Sequence, residues 1–169
     1  GIIGGKGAII SGIVVNLMFC LTWVRILITD LEIAASADVS GAQLETGTVN
    51  LSTPRYSLPA DLLGYLHIPP STFQLIHLVG ALGIILGLLA ITTARAGLRT
   101  PTKIFGVLGV ISFAVLYFEV NFLLQAFHAG AMALQEGVTL SFSESLGLGL
   151  GVGAGATGLL ASGIKMTRV

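Results

Sequence analysis

The residues best suited to chemistry in this chain interrupt an otherwise apolar stretch, residues 104–128. The stretch contains Glu119, Asn121, Gln125 and His128, and it is long enough for one helix to cross a bilayer. A carboxylate inside a membrane helix costs about 2.5–3.5 kcal/mol, so it ordinarily has a partner or a function. The stretch therefore predicts either a neutralised carboxylate or a proton- or ion-handling site.

Four ionisable residues are predicted to lie near one depth of the membrane, in its outer leaflet, when positions are counted along the predicted helices. They are Arg25, His77, Glu119 and Glu144. Such a layer can form a proton, ion or redox site, or its members can neutralise one another and fix the register of the helices. We favour neutralisation, because this depth is close to water.

A second polar set lies on the other side of the same predicted helix. Asn121, Gln125 and His128 follow at i, i+4 and i+7, so they share one face, roughly opposite Glu119. Amide side chains at this depth are expected to form hydrogen bonds with another helix rather than to face lipid. The two polar sides predict that this helix contacts neighbours on both sides, in its own bundle or in another chain.

The three histidines are the candidates for a metal or haem site. His77 and His128 on neighbouring helices could ligate a haem iron from both sides, but counting places them roughly 12 Å apart in depth. His67, His77 and His128 could form an external copper or zinc site, although their spacing matches no metal motif. We therefore predict no metal site and leave the cofactor open, with haem or quinone as the candidates.

The composition is that of a membrane protein that crosses the bilayer several times. Of 169 residues, 54% are hydrophobic and only 9% are charged, whereas a globular domain has about 25% charged residues. A soluble chain with so few charges could not cover its own surface. Eight basic and eight acidic residues cancel, which leaves no general basic surface for nucleic acid.

Four predicted membrane helices position the polar residues, in an all-α bundle that forms a single transmembrane domain. Their approximate bounds are 8–29, 71–96, 103–130 and 143–164. A polar loop of about 40 residues, 30–70, separates the first two, and its alternation over 39–54 allows a short hairpin. The pattern Ser71-Thr-Phe-Gln74 predicts a capping box at the start of the second helix.

The charges separate between the two ends of the predicted bundle, with Arg55 as the one clear base at the acidic end. One end has the bases Lys6, Arg95, Arg99, Lys103, Lys165 and Arg168. The other end has the acids Asp30, Glu32, Asp38, Glu45, Asp61, Glu136 and Glu144. Because basic residues favour the cytoplasmic side, we expect both termini in the cytoplasm and the 30–70 loop outside.

Glycines along two predicted helices indicate close helix packing. In the second helix, Gly83 and Gly87 form a GxxxG step, which lets another backbone approach closely. The fourth helix has glycine at alternate positions, which gives it two smooth faces. These positions are Gly147, Gly149, Gly151, Gly153 and Gly155. We expect the fourth helix to be packed on both sides, within the bundle or at a subunit contact.

Two features of this sequence resemble known protein families. The alternating-glycine run is similar to the GxGxGxGxG helix of rotor-ring proteolipids in ATP synthases, which implies close packing. In that family the ion-binding carboxylate follows the glycines, whereas Glu119 precedes them here. One large and one short external loop with cytoplasmic termini also resemble claudin-like tetraspan proteins, but Cys20 is the only cysteine, so their paired extracellular cysteines are absent.

The function predicted from these patterns is a non-catalytic membrane subunit that packs into a larger complex or a homo-oligomer in the lipid bilayer. No hydrolase triad, zinc-protease, phosphate-loop or CxxC pattern occurs, so we expect no catalytic activity of its own. The first alternative is a redox- or proton-handling subunit of a respiratory-type complex, using His77 and Glu119. The second alternative is a pore or transporter lined by the third helix.

Overall fold

The computed structural model describes residues 2–29, 34–46, 66–130, 132–135 and 138–167. Within these ranges, four helices are long and apolar enough to cross a membrane, and they have 19, 25, 31 and 21 residues. The described elements are, in chain order, α1 (Ile2–Leu17), β1 (Thr22–Thr29), β2 (Ala34–Ser40), α2 (Gly41–Thr46), α3 (Ser71–Arg95), α4 (Arg99–Ala129), β3 (Met132–Gln135), β4 (Val138–Glu144) and α5 (Leu146–Leu160). A 3-10 turn, Met18–Cys20, extends α1, and a π-helical turn, Ala161–Met166, extends α5.

The long helices form a four-helix bundle in which each helix packs against the next and α5 closes onto α1. Large side chains fill the centre, including Phe73, Phe113 and Leu116, which are fully buried. The outer surface is apolar as well, since Phe118 is 69% exposed and Leu88 is 54% exposed. The predicted bundle of four long apolar helices is therefore confirmed. A helix that is apolar on every side is typical of a membrane span.

Glycines bring α1 and α3 into close contact. A Cβ atom at Gly87 would lie 2.6 Å from Cγ1 of Ile9, and one at Gly83 would lie 3.2 Å from the carbonyl oxygen of Ala8. A Cβ at Gly12 would clash with the carbonyl oxygen of Gly80. Glycine is therefore needed on both helices of this contact, because any larger residue would separate the two backbones.

A four-stranded antiparallel sheet of order β2-β1-β4-β3 lies at one end of the bundle. It joins the segment after α1 to the segment between α4 and α5, so both connections at that end contribute strands. In the register, Arg25 of β1 lies opposite Asp38 of β2, and Val24 lies opposite Glu144 of β4. The predicted all-α class describes the bundle, and the sheet is an addition to it.

The first predicted helix, 8–29, has the wrong bounds. The helix begins at Ile2 and its 3-10 extension ends at Cys20, while Thr22–Thr29 is a strand. β-Branched and aromatic residues dominate that strand, and burial alternates from Val24 through exposed Arg25 to Ile26. The mostly apolar sequence concealed this change, because no charged residue occurs between Lys6 and Arg25.

Smaller corrections concern the other element ends. The fourth predicted helix starts at Leu146 instead of 143, because β4 extends to Glu144. Pro70 precedes the first turn of α3 and no side chain caps it, so the predicted capping box is absent. In place of the hairpin predicted over 39–54, Gly41–Thr46 is helical, and residues 47–54 lie outside the described part.

Trp23 fixes the sheet on the bundle. Its side chain is fully buried, and its indole Nε1 donates a hydrogen bond to the carbonyl oxygen of Met18 at 2.7 Å. The ring lies 4.7 Å from the ring of Phe19 and 6.0 Å from that of Phe73, measured between centroids. The first residues of β1 are thereby held against the ends of α1 and α3.

Candidate functional site

His77 is the most extensively bonded of the predicted site residues. Its Nε2 lies 2.7 Å from Oε2 of Glu45, and its Nδ1 lies 3.4 Å from Oδ1 of Asn16. The imidazole stacks on Phe19 with ring centroids 3.6 Å apart and planes inclined by 15°. His77 therefore joins α3 to α2 and α1, and both of its ring nitrogens face oxygen atoms of the protein.

Arg25 forms an ion pair across neighbouring strands. Its Nε donates to Oδ1 of Asp38 at 2.9 Å, and the two side chains are 56% and 51% exposed. The hydrogen bond and the opposite charge raise the pKa of the Arg25 guanidinium and lower the pKa of the Asp38 carboxyl. Arg25 is thus neutralised at the surface of the sheet.

The two glutamates of the predicted polar layer lie apart from these pairs. Glu119 is half-buried on α4, Glu144 is exposed on β4, and neither has a hydrogen bond or an ion pair among the residues described. His77 precedes Gly83 by six residues and Glu119 follows Phe113 by six, and Gly83 contacts Phe113 between the antiparallel helices. Counting thus gives Glu119 and His77 a similar depth, but His77 faces α1 and α2 instead of Glu119.

The partners that complete these pairs are Asp38 and Glu45, which sequence reasoning placed in the loop without a role. Asn16 and Phe19 belong to the first predicted helix, 8–29. The register of β1 against β2 determines that Asp38 meets Arg25, and the short helix α2 brings Glu45 to His77. No local sequence signal gives either contact, because each depends on the path of the chain between 30 and 46.

The second polar set of α4 lies on the outside of the bundle. Asn121 donates from Nδ2 to the carbonyl oxygen of Tyr117 in its own helix at 2.8 Å. Gln125 and His128 are exposed, and within the described ranges they form no hydrogen bond to another helix. The interhelical hydrogen bonds expected for this set are therefore not made between the described helices of one chain.

The alternating glycines of α5 divide into an inner and an outer set. A Cβ at Gly147 would clash with Trp23, one at Gly151 would lie 3.1 Å from Sδ of Met18, and one at Gly155 would lie 3.5 Å from Tyr117. Gly149 and Gly153 are exposed, and a Cβ at either position would have no described neighbour within 4 Å. One glycine face is thus packed in the bundle and the other is open.

The outer residues of α4 and α5 lie on neighbouring helices. Tyr117 contacts Gly155 of α5, and Asn121, Gln125 and His128 continue the same stripe of α4 at i+4, i+8 and i+11 from Tyr117. The stripe therefore runs along the side of α4 that adjoins α5. Gly149 and Gly153 lie on the exposed face of α5, roughly opposite Gly155. We use the name outer α4–α5 surface for the exposed sides of these two neighbouring helices, which are marked by Asn121, Gln125 and His128 on α4 and by Gly149 and Gly153 on α5.

The three histidines belong to different elements of the fold. His67 lies in the turn before α3 with a left-handed backbone (φ 58°), His77 lies among α1, α2 and α3, and His128 is on the outside of α4. Among the described residues, no group of three or more His, Cys, Asp or Glu side chains is arranged to hold a metal ion. The histidines thus do not converge on one described site.

Comparison with protein-family models, with curated proteins and with solved structures finds no match for this chain. Its function must therefore be inferred from the side chains and surfaces described above. Two features need a chemical explanation. The first is His77, whose two ring nitrogens have partners within the chain. The second is the outer α4–α5 surface, whose open glycines have no described neighbour.

Proposed function

We propose that the protein is a non-catalytic integral membrane subunit that assembles with copies of itself or with other membrane proteins through the outer α4–α5 surface. The observation that supports this proposal is the open glycine pair, Gly149 and Gly153, which lie one turn apart on an exposed helix face. Small residues at this spacing let a second helix approach the backbone, and close van der Waals contact drives helix association in lipid.

The polar residues of α4 support the same proposal. Gln125 and His128 are both exposed on one face of this helix. Polar side chains that face lipid are costly, whereas a hydrogen bond to a partner helix contributes about 0.6–2 kcal/mol. A partner on this side of the bundle would cover the glycines and supply hydrogen bonds to the amides.

The proposed topology has both termini in the cytoplasm and the 30–70 loop outside. Lys6, Arg95 and Lys165 are exposed at the end of the bundle opposite the sheet, which is the end that the positive-inside rule assigns to the cytoplasm. The Arg25–Asp38 pair and Glu45 are at the sheet end. The sheet would then be exposed to the external medium.

The test is the mass of the protein extracted in a mild detergent, measured by native mass spectrometry. We expect an assembly larger than one chain for the wild type, and at least a tenfold weaker association for the double variant Gly149→Leu/Gly153→Leu. Ala81→Leu is the matched control, because Ala81 is exposed on α3, and its assembly should be unchanged. A wild type that is monomeric at every concentration contradicts the proposal.

A redox- or proton-handling subunit is the alternative from another class. The observation in its favour is Glu119, a half-buried carboxylate in a membrane-length helix with no described partner. In that case Glu119→Gln would abolish proton or electron transfer by the isolated complex while its mass stays unchanged. A haem absorption band or an extracted quinone would also favour this alternative.

A further inference from the structure

A cavity of about 270 Å³ lies at the sheet end of the bundle, between the turn that precedes α3 and the last turn of α4. The described residues that line it are Leu66, His67, Ala126, Ala129 and Gly130. Leu66 is buried, and a Cβ atom at Gly130 would clash with Cδ2 of Leu66. This close contact holds the turn on the end of α4, and both of its residues line the cavity.

His67 has a backbone conformation that favours glycine. Its φ is 58°, and among the described residues it is the only one other than glycine with a positive φ. Its neighbours Leu66 and Ile68 are 7% and 2% exposed, so packing on both sides holds the turn, while His67 itself is exposed. Other residues held in this region cost free energy and are frequent at ligand-binding sites. An imidazole where glycine would fit more easily indicates a role for the side chain beyond folding.

The wall of the cavity that α4 forms offers acceptors of hydrogen bonds. Ala126, Ala129 and Gly130 have no polar side-chain atoms, so this wall is polar only through its main chain. The last four carbonyl groups of a helix lack partners within the helix, and the C-terminal end of a helix has a partial negative charge. The imidazole of His67, which also lines the cavity, has one acceptor nitrogen in its neutral form. These groups together favour a cation that donates hydrogen bonds.

The length of α4 places the cavity at the level of the lipid headgroups. The helix has 31 residues, which is about 46 Å, whereas the hydrocarbon core is about 30 Å thick. The ends of α4 therefore extend beyond the core, and the cavity lies at the end beside the sheet. Phe122, Ala126 and Ala129 follow at i, i+4 and i+7, and none of them is fully buried. They form an apolar path from the cavity toward the core, along which an acyl chain fits.

We propose that this cavity binds a primary ammonium group, which donates hydrogen bonds to the last carbonyl groups of α4 and to the imidazole of His67. The two sources of such a group are the headgroup of an ethanolamine phospholipid and a soluble amine. A choline headgroup has the same charge but no N–H group, so the site should discriminate against it. The headgroup level rests on the membrane embedding in the proposed function. The cavity includes no residue of the outer α4–α5 surface, so binding and assembly can be tested separately.

The experiment is native mass spectrometry of the delipidated, detergent-purified protein, titrated with dioleoylphosphatidylethanolamine, with its N,N-dimethyl derivative or with dioleoylphosphatidylcholine. The three headgroups have equal charge and a decreasing number of N–H donors. A hydrogen bond to a charged group is worth about tenfold in affinity, so the ethanolamine lipid should bind about tenfold or more tightly than the choline lipid, with the dimethyl derivative between them. A preference among the lipids assigns the site to a headgroup.

A calorimetric titration with ethanolamine alone tests the second source. Binding of ethanolamine without a preference among the lipids assigns the site to a soluble amine, which also supports an ammonium site. The absence of both a lipid preference and ethanolamine binding overturns the proposal.

Two variants separate ligand binding from folding. His67→Gly removes the imidazole and suits the positive φ, so it should weaken binding of the preferred ammonium ligand by about fivefold or more, while the melting temperature stays unchanged or rises. Ala129→Leu fills part of the cavity and should weaken the same binding. The matched control is Ala81→Leu, exposed on α3 outside the cavity, which should change the affinity by less than about twofold. Undiminished binding in both cavity variants, or an equal loss in the control, overturns the proposal. The oligomer masses in the same spectra show whether assembly fails independently.

Discussion

At His77, one side chain connects three helices of the fold. The imidazole meets Glu45 of α2 at 2.7 Å and stacks on Phe19 at the end of α1, while His77 itself belongs to α3. Glu45 and His77 are each about one-third exposed, so the pair is partly screened by water and contributes modestly to stability. Its main effect is to hold α2 against the bundle.

Replacing Glu45 should therefore release α2 without unfolding the bundle. For Glu45→Ala we expect faster amide hydrogen exchange in Gly41–Thr46 and unchanged exchange in α4, because the contact with His77 is local. The loss in stability should be about 1 kcal/mol or less. Hydrogen-exchange mass spectrometry measures this, and Glu144→Ala is the control, since that exposed carboxylate has no described partner. Identical exchange in the two variants would contradict the role of Glu45.

The Arg25–Asp38 pair should make the β1–β2 contact sensitive to acid. The pKa of Asp38 is lowered in the folded state, so the pair stabilises the fold above the ordinary carboxyl pKa, near 4. That contribution is lost as the pH falls through the lowered pKa, while Arg25 stays charged throughout. Amide protection in β2 should decrease between about pH 4 and pH 2 in the wild type, and Asp38→Asn should remove that change. The same acid response in Asp38→Asn would refute the assignment.

At the scale of elements, some glycines lie in tight helix contacts and others lie on open surfaces. The α1–α3 contact has no room for a methyl group at Gly12, where a Cβ would clash with the carbonyl oxygen of Gly80 and lie 3.0 Å from the Ile84 nitrogen. Gly149 on α5 is open within the described structure. The same substitution should therefore have opposite effects at these two sites.

Gly12→Ala should destabilise the bundle by about 1–3 kcal/mol, because an overpacked contact forces the backbones apart. Gly149→Ala should be neutral or stabilising by up to about 1 kcal/mol, because alanine favours a helix more than glycine does. Thermal unfolding in detergent, followed by circular dichroism, compares the two variants in their monomeric fractions. A Gly12→Ala variant as stable as Gly149→Ala would show that α1 and α3 are not in close contact.

The long helices were predictable from the sequence, whereas the sheet was not. Helix α3 agrees with the predicted bounds almost to the residue, because Pro69 and Pro70 mark its start and an uninterrupted apolar segment follows. Strand β1 was assigned to a helix, because its apolar residues continue those of α1. Ion pairs that depend on the sheet, including the Asp38 contact, could not be predicted without its register.

At the scale of the whole molecule, the described polar groups that lack partners comprise two buried hydroxyls and several side chains on the outer surface of the bundle. Within the described residues, Ser11 and Ser162 are the only buried side chains with a hydroxyl that lacks a hydrogen-bond partner. Gln125 and His128 of α4 also lack partners in other described helices, and they lie on the outside of the bundle, as do the open glycines of α5. This distribution is expected of a subunit whose remaining contacts lie in a partner.

The most direct measurement is photo-cross-linking in native membranes. Leu160, 58% exposed two turns beyond Gly153, would be replaced by benzoylphenylalanine, and Leu88, 54% exposed on α3, by the same residue as control. We predict a discrete protein adduct at Leu160, with a second copy or with another membrane protein, and no discrete protein adduct at Leu88. Adducts with lipid alone at both positions would contradict assembly through the outer α4–α5 surface.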